Sequence, residues 1–173
     1  SLIAVIEGGS LGSVSVCLDK ATGQLLNVFQ YPNDAGGNLY TRPLGQHNGY
    51  VFYAGNSYAN FQNKLILMVF DSTGLPVKMK KMTPPSFPQK AATKNGKFYL
   101  HFNYSAGGIT KNGILRTDTT LIPDFITEYN DSRDDRLIGM GVSDNGSIYI
   151  GGSFYHGGVN GIYADAYIRK TDT

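Results

Sequence analysis

The feature that most constrains the fold of this chain is a repeat with a period of about 50 residues. The dipeptide Asn-Gly precedes an aromatic-rich segment three times, at Asn48-Gly49, Asn95-Gly96 and Asn145-Gly146, so the copies lie 47 and 50 residues apart. Asn and Gly both tolerate positive φ, and the pair is a strong signal for the type I′ turn of a β-hairpin. The sequence therefore predicts a tandem array of β-hairpin units.

Each repeat contains more than one hairpin. The strand after the Asn-Gly position is followed by a polar segment and then by a second apolar strand, which ends at a turn such as Asp19–Gly23 or Asp71–Gly74. An Asp that opens a turn can accept hydrogen bonds from backbone N–H groups. A further strand follows this turn in three of the four copies. We predict four short strands per repeat, with the first strand missing from the first repeat and the last strand missing from the fourth.

The strands in the middle of each repeat predict a sheet that is covered on both faces. Leu65–Phe70 is apolar at every position, and no segment of ten residues keeps a helical period. Four strands at this period are typical of a β-propeller blade. We predict an all-β fold, a complete or partial β-propeller of about four blades with the first and last incomplete. It forms one repeat domain over 1–173, in a longer chain or an assembly, with repeats at about 1–33, 42–85, 89–131 and 136–173.

Composition and charge narrow the range of partners. The chain has 22 Gly, 12 Tyr and 9 Phe, which suits short strands and tight turns. Its net charge is only +2, and the basic residues are scattered rather than clustered in a stripe that would bind nucleic acid. No apolar run approaches the ~18 residues of a membrane-spanning helix. We therefore expect neither a nucleic-acid partner nor a membrane span.

The fourth repeat carries a resemblance to a known family. Asn145–Ser153, followed by Ala164–Asp172, has a glycine turn, an aromatic-aliphatic strand, a glycine-rich segment and then Asp-Ala-aromatic-aliphatic before a final Lys and an Asp turn. This order resembles the β-propeller repeat family found in many bacterial extracellular proteins. The other three repeats match it in part, so the resemblance covers nearly the whole chain. It implies an extracellular or cell-surface location and a role as a scaffold or interaction module.

Three functions are open at the level of sequence. The first is a non-catalytic structural or interaction module, such as a subunit of an extracellular fibre or coat whose copies or other protein chains join through blade edges, since an unpaired sheet edge can pair with another chain. The second is a lectin-like propeller that binds a carbohydrate or another ligand. The third is a propeller hydrolase or lyase.

The residues that could carry chemistry do not form a recognisable motif. His47, His101 and His156 occupy different places in their repeats, which argues against a shared metal site, and we expect His101 to be a packed strand residue. Glycosidases need two carboxylates about 5–10 Å apart, and the spacing of the acidic residues pairs none of them. Cys17 is expected to be a small buried hydrophobic residue. We predict no enzyme activity, no catalytic residue, no metal and no cofactor.

Two groups of residues remain as candidate sites of modification or contact. The Asn-x-Ser sequons at Asn103 and Asn130 are placed where strands are expected to give way to loops, which makes both candidates for N-glycosylation in a eukaryotic secretory pathway. The segments 56–63 and 154–163 are expected to be exposed loops whose aromatic residues contact a partner, because aromatic side chains among Gly and Asn form adaptable binding surfaces. The candidate contact residues are Tyr58, Phe61, Tyr155, His156 and Tyr163.

Overall fold

The chain folds as an all-β protein in a computed structural model that describes residues 2–6, 14–30, 38–59, 62–82, 87–107, 109–129, 136–158 and 161–171. These residues form strands and turns and contain no helix, which confirms the all-β prediction. The strands are β1 Leu2–Ile6, β2 Val14–Leu18, β3 Leu25–Gln30, β4 Asn38–His47, β5 Tyr50–Ala59, β6 Gln62–Phe70, β7 Pro76–Met82, β8 Phe87–Lys94, β9 Lys97–Ala106, β10 Ile109–Thr117, β11 Phe125–Tyr129, β12 Arg136–Val142, β13 Ile148–Gly158 and β14 Gly161–Thr171.

The strands form four sheets in chain order, and within each sheet consecutive strands are neighbours. Sheet 1 has the order β1-β2-β3, sheet 2 has β4-β5-β6-β7, sheet 3 has β8-β9-β10-β11 and sheet 4 has β12-β13-β14. All the strand pairs whose register is defined are antiparallel. The described strands thus follow the predicted pattern of three, four, four and three.

Two of the three Asn-Gly pairs form the predicted type I′ turns. Asn48 and Gly49 have φ of 48° and 79°, and Asn95 and Gly96 have φ of 49° and 73°. Both central residues of each turn therefore lie in the left-handed region that this turn type requires. The third pair differs, because at Asn145-Gly146 only the glycine has positive φ.

The third turn uses the side chain of Asn145 instead of a left-handed backbone. Its Oδ1 accepts hydrogen bonds from the Ser143 hydroxyl and from the backbone N–H of Ser147, the latter at 3.2 Å. The loop runs from Ser143 to Ser147, so β13 begins at Ile148 and not directly after the glycine. The side chain of Asn145 is therefore engaged within its own turn.

The Asp turns after β2 and β6 are held by carboxylate capping, as the sequence predicts. Asp19 Oδ1 accepts the backbone N–H groups of Ala21 at 2.9 Å and Thr22 at 2.8 Å. Asp71 Oδ1 accepts the hydroxyl of Thr73 at 2.6 Å as well as its backbone N–H at 2.8 Å. Hydrogen bonds of this kind favour the ionised form and lower the pKa of both carboxyl groups below the usual range.

The middle strand of sheet 2 is buried on both of its faces. All six residues of Leu65–Phe70 are at most 4% exposed, although their side chains alternate between the two faces. On one face Tyr53, Ile66, Met68 and Phe70 form a cluster, in which the Tyr53 and Phe70 rings meet edge to face at 5.3 Å. A sheet of this kind is stable only when other parts of the protein cover both faces.

The described chain divides into two compact units, each of which contains two sheets. The first unit is Ser1–Pro88 with Thr119–Leu121, and the second is Gln89–Asp118 with Ile122–Thr173. In the first unit Phe29 of sheet 1 packs against the Tyr53 cluster of sheet 2. We name the faces by repeat position: the face of sheet 1 that carries Phe29, and the face formed by equivalent positions in each other sheet, is the forward face, and the opposite face is the backward face. Phe29 thus lies on the forward face of sheet 1, and Tyr53 on the backward face of sheet 2.

The second unit repeats this arrangement. Tyr99 and Ile114 on the forward face of sheet 3 form one cluster with Ile148 and Ile150 on the backward face of sheet 4. Phe125 of sheet 3 packs against the same cluster. In both units, therefore, a forward face meets a backward face. Large apolar residues of β5 in the first unit and of β13 in the second contribute to this contact.

The glycine of the second Asp turn permits a close approach between sheets 1 and 2. A Cβ atom placed on Gly74 would lie 2.5 Å from Cβ of Cys17, which is itself 1% exposed. The equivalent glycine of the first Asp turn, Gly23, has open space around the same position. Both have positive φ, 83° at Gly74 and 70° at Gly23. The two glycines therefore share one backbone constraint and differ in their packing.

We predict that Gly74→Ala destabilises the protein more than Gly23→Ala. Both changes carry the cost of about 1–2 kcal/mol for a left-handed alanine. Gly74→Ala adds the overlap with Cys17, which should cost about 1–3 kcal/mol more. Urea unfolding of the two variants and the unchanged protein measures the difference. Equal losses of stability would contradict the close packing of this turn on β2.

Candidate functional site

The candidate contact residues lie in strands rather than in loops, which corrects the expected secondary structure of the two segments. Tyr58 belongs to β5 and pairs with Asn63 of β6. Tyr155 and His156 belong to β13, and Tyr163 belongs to β14. The hairpins continue because backbone pairing does not require apolar side chains, so the polar residues that suggested a loop remain in the antiparallel ladder.

The structure brings one pair of these residues together. His156 and Tyr163 are directly opposite each other in the register of β13 and β14, near the end of that hairpin. Tyr155 is opposite Ala164 in the same register. Phe61 lies outside the described residues. The contact role of all five residues stays a prediction.

The two candidate glycosylation sites differ in what the structure describes. Asn103 lies inside β9, which continues to Ala106, and its register partner on β10 is Asn112, which is 5% exposed. The expected change from strand to loop at Asn103 therefore does not occur, because β9 and β10 pair beyond it. Asn130 lies outside the described residues. Glycosylation at either position stays a prediction.

His101 is a packed strand residue, as the sequence predicts. It lies in β9 and is 2% exposed. Burial lowers the pKa of its imidazole from the ordinary 6.5 to about 4, because a charged imidazolium is costly away from water. Within the described part of the chain, no group of three or more His, Cys, Asp and Glu residues could hold a metal ion.

The acidic residues of sheet 3 are engaged with basic or hydroxyl groups. Lys97 Nζ lies 3.0 Å from Asp118 Oδ2 and 2.7 Å from Asp124 Oδ2. Arg116 Nε donates to the other carboxylate oxygen of Asp124 at 2.7 Å. Two carboxylates and two cations thus tie together the start of β9, the end of β10 and the turn before β11. The sequence did not reveal this cluster, because the paired residues are 8, 21 and 27 positions apart along the chain.

Glu128 lies within β11 and is engaged by a tyrosine. A hydrogen bond to Glu128 and burial together raise the pKa of the Tyr104 hydroxyl. Burial opposes the ionisation of Asp124, but the hydrogen bonds from Arg116 and Lys97 outweigh it and lower the pKa of that carboxyl group. Both carboxylates therefore have partners on other strands of sheet 3.

The forward face of sheet 4 exposes large apolar residues at positions that are buried in the other repeats. Ile168 of β14 is 82% exposed, whereas the residues at the equivalent positions of the second and third repeats, Leu67 and Ile114, are 1% and 0% exposed. Tyr149 of β13 is 40% exposed, compared with 4% for its equivalent Tyr99. The sequence thus places large apolar residues at positions where the other repeats bury them.

The backward face of sheet 1 shows the same contrast. Val16 of β2 is half-buried, whereas its equivalent in β6, Met68, is fully buried. Leu18 is half-buried, whereas its equivalent Phe70 is fully buried. Each of the two three-stranded sheets therefore has one apolar face that the described residues cover only in part or leave exposed.

The two three-stranded sheets also differ from the two four-stranded sheets in which strands lie at their edges. β14 occupies the place in its sheet that β6 and β10 occupy in theirs, and both of those strands have neighbours on either side. In the described part of the chain β14 has a neighbour, β13, on one side alone. β1 is likewise an edge strand where its counterparts β5 and β9 are internal.

Comparison with known proteins does not assign the chain to a family. A scan against protein-family models and a search of curated proteins each found no match. The described residues contain no helix that is long and apolar enough to cross a membrane.

We predict that stability declines as the pH falls from about 6.5 to about 4. The unfolded imidazole of His101 binds a proton in this range and the folded one does not, so protons favour the unfolded state. The lowered pKa corresponds to a loss of about 3 kcal/mol across the range. Urea unfolding at several pH values measures it, and the stability of the His101→Gln variant should change little between about pH 6.5 and about pH 5, above the range in which unfolded carboxyl groups take up protons. An equally steep decline in that variant would show that another group is responsible.

Proposed function

We propose that this chain is a non-catalytic structural or interaction module of a secreted or cell-surface protein, and that its sheets are β-propeller blades. The observation that supports the assembly role is that, among the described residues, β1 and β14 are edge strands, whereas the strands at equivalent positions in sheets 2 and 3 are internal. We propose that these edges join the chain to copies of itself or to another protein, as in an extracellular fibre or coat.

The packing within each unit supports the blade interpretation. A propeller stacks successive four-stranded sheets in one sense, so that each sheet contacts its neighbours through opposite faces. Sheets 1 and 2 meet forward face to backward face, and sheets 3 and 4 do the same. The four-strand meander of sheets 2 and 3 is also the strand order of a blade.

The edge strands β1 and β14 offer backbone groups with which a strand of another chain could pair. An edge strand presents unpaired backbone N–H and C=O groups, and a strand from another chain can satisfy them by extending the sheet. β14 carries Arg169 and Lys170 close to its end, and charge on an edge suppresses indiscriminate pairing. We therefore expect the β14 edge to pair with a specific strand rather than to aggregate.

Hydrogen–deuterium exchange with peptide resolution tests the edge proposal. As the protein concentration rises, amides of β1 and β14 should become protected because a new strand pairs with them. Amides of β7 and β11, which are edge strands of the complete sheets, serve as internal controls and should not change. If the amides of β1 and β14 exchange at the same rate at every concentration, joining of copies through these edges is wrong.

A further inference from the structure

We propose that the first two Asn-Gly turns are sites of spontaneous covalent modification, at which Asn48 and Asn95 convert to aspartate and isoaspartate, and that the turn of Asn145 resists the same reaction. The inference does not rest on the proposed assembly role, because it depends only on the local structure of the turns. The observation that carries it is that the three pairs share one sequence, whereas the third has a different backbone and a hydrogen-bonded side chain.

The reaction joins the side chain of an asparagine to the backbone nitrogen of the next residue. This nitrogen attacks the side-chain carbon Cγ, the bond from Cγ to the amide nitrogen breaks, and ammonia leaves with the proton of the attacking N–H. Water then opens the five-membered ring at one of its two carbonyl groups and yields aspartate or isoaspartate. A following glycine favours the attack, because it has no Cβ atom to hinder the close approach of the backbone.

Exposure does not distinguish the three asparagines, because Asn48, Asn95 and Asn145 are all exposed. Water is therefore available at each of them to open the ring. The difference comes from the hydrogen bonds that hold the side chain and the attacking nitrogen.

In the two type I′ turns the attacking nitrogen lies outside the strand ladder. The ladder bonds of a two-residue hairpin are made by the residues that flank the turn, and His47 and Tyr50 form this pair around Gly49. Among the described residues, neither the Asn48 nor the Asn95 side chain has a hydrogen bond. Ring closure requires rotation about the Cα–C bond of the asparagine, which opens the turn at the tip of its hairpin, where local opening costs least.

In the third turn both reacting groups are engaged in hydrogen bonds. Asn145 Oδ1 accepts the hydroxyl of Ser143 and the backbone N–H of Ser147. The N–H of Gly146, which would have to attack, donates to the carbonyl oxygen of Ser143 at 3.0 Å. These bonds must break before the ring can close, so we expect the reaction at Asn145 to be slower by about tenfold or more.

The two products differ in their effect on the hairpin. Asp-Gly also favours a type I′ turn, so aspartate at position 48 adds a negative charge and leaves the turn intact. Isoaspartate carries the main chain through its side-chain carbon and lengthens the turn, whose length fixes the register of β4 on β5. Isoaspartate formed from Asn48 therefore weakens the pairing of these two strands.

Peptide mapping by mass spectrometry, after incubation of the folded protein at mildly alkaline pH, tests the inference. Asn48 and Asn95 should convert about tenfold or more faster than Asn145. Ser143→Ala removes one donor to Asn145 Oδ1, so this variant should speed the conversion of Asn145 and leave the other two rates unchanged. Conversion of Asn145 as fast as that of Asn48 and Asn95 in the unchanged protein would overturn the inference.

The same incubation in concentrated urea is the matched control, because the unfolded chain lacks these hydrogen bonds. All three asparagines should then convert at similar rates, since each precedes glycine. A tenfold difference that persists in urea would show that neighbouring side chains, and not the turns, determine the rates. Conversion of Asn48 and Asn95 in urea but not in the folded protein would show that all three turns protect their asparagines. Either result would contradict the proposal.

Discussion

Sheet-on-sheet packing is the interaction on which the rest of this structure depends. The middle strand of sheet 2 is apolar at six successive positions, so this sheet has two apolar faces instead of one apolar and one polar face. The six residues of Leu65–Phe70 show the result, since side chains on both faces are almost completely buried. A sheet of three or four strands with two such faces cannot be stable in water alone, and it therefore needs a neighbour on each side. This requirement explains why the sheets of each unit pack face to face.

The turns contribute by allowing the sheets to approach and by holding their ends. Gly74 has no side chain where Cys17 of sheet 1 passes close to its turn. Within sheet 3, Gly113 of β10 leaves room for the ring of its cross-strand partner Phe102, which lies 2.5 Å from the position of a Cβ atom. The ion pairs of Lys97 and Arg116 with Asp118 and Asp124 lie at the turn end of sheet 3, where the apolar packing gives way to solvent. Packing thus supplies most of the stability, and the polar turns define where each strand stops.

Much of the local structure could be predicted from the sequence, because it depends on a few neighbouring residues. Asn48-Gly49 and the Asp71 turn have the predicted geometry, since positive φ and carboxylate capping are local effects. Features that depend on distant partners could not be predicted. The pairing that extends the hairpins through Tyr58 and Tyr155 is one example, and the Lys97 cluster is another. At position 121 a leucine adopts φ of 57° and is 1% exposed, so its burial compensates for a backbone that glycine would adopt more easily.

The candidate surfaces illustrate the same limit. A single strand sequence cannot show whether its apolar residue is covered, because cover comes from another sheet. Ile168 and Ile114 are isoleucines at equivalent places in the repeat, but Ile114 lies on an internal strand and packs with Ile148 and Ile150, whereas Ile168 lies on β14 and is 82% exposed. The repeat is visible in the sequence, whereas the exposure of apolar residues on the forward face of sheet 4 is visible only in the structure.

The central claim is that the forward face of one sheet packs on the backward face of the next, and the methyl groups of the isoleucines test it most directly. In a nuclear Overhauser experiment on isoleucine-methyl-labelled protein, the account predicts cross-peaks that join Ile114 to Ile148 or Ile150. Cross-peaks within sheet 3 and within sheet 4, with none between the Ile114 methyl groups and those of Ile148 and Ile150, would contradict it. In that case the sheets would not stack through the faces described, and the propeller proposal would lose its support from packing.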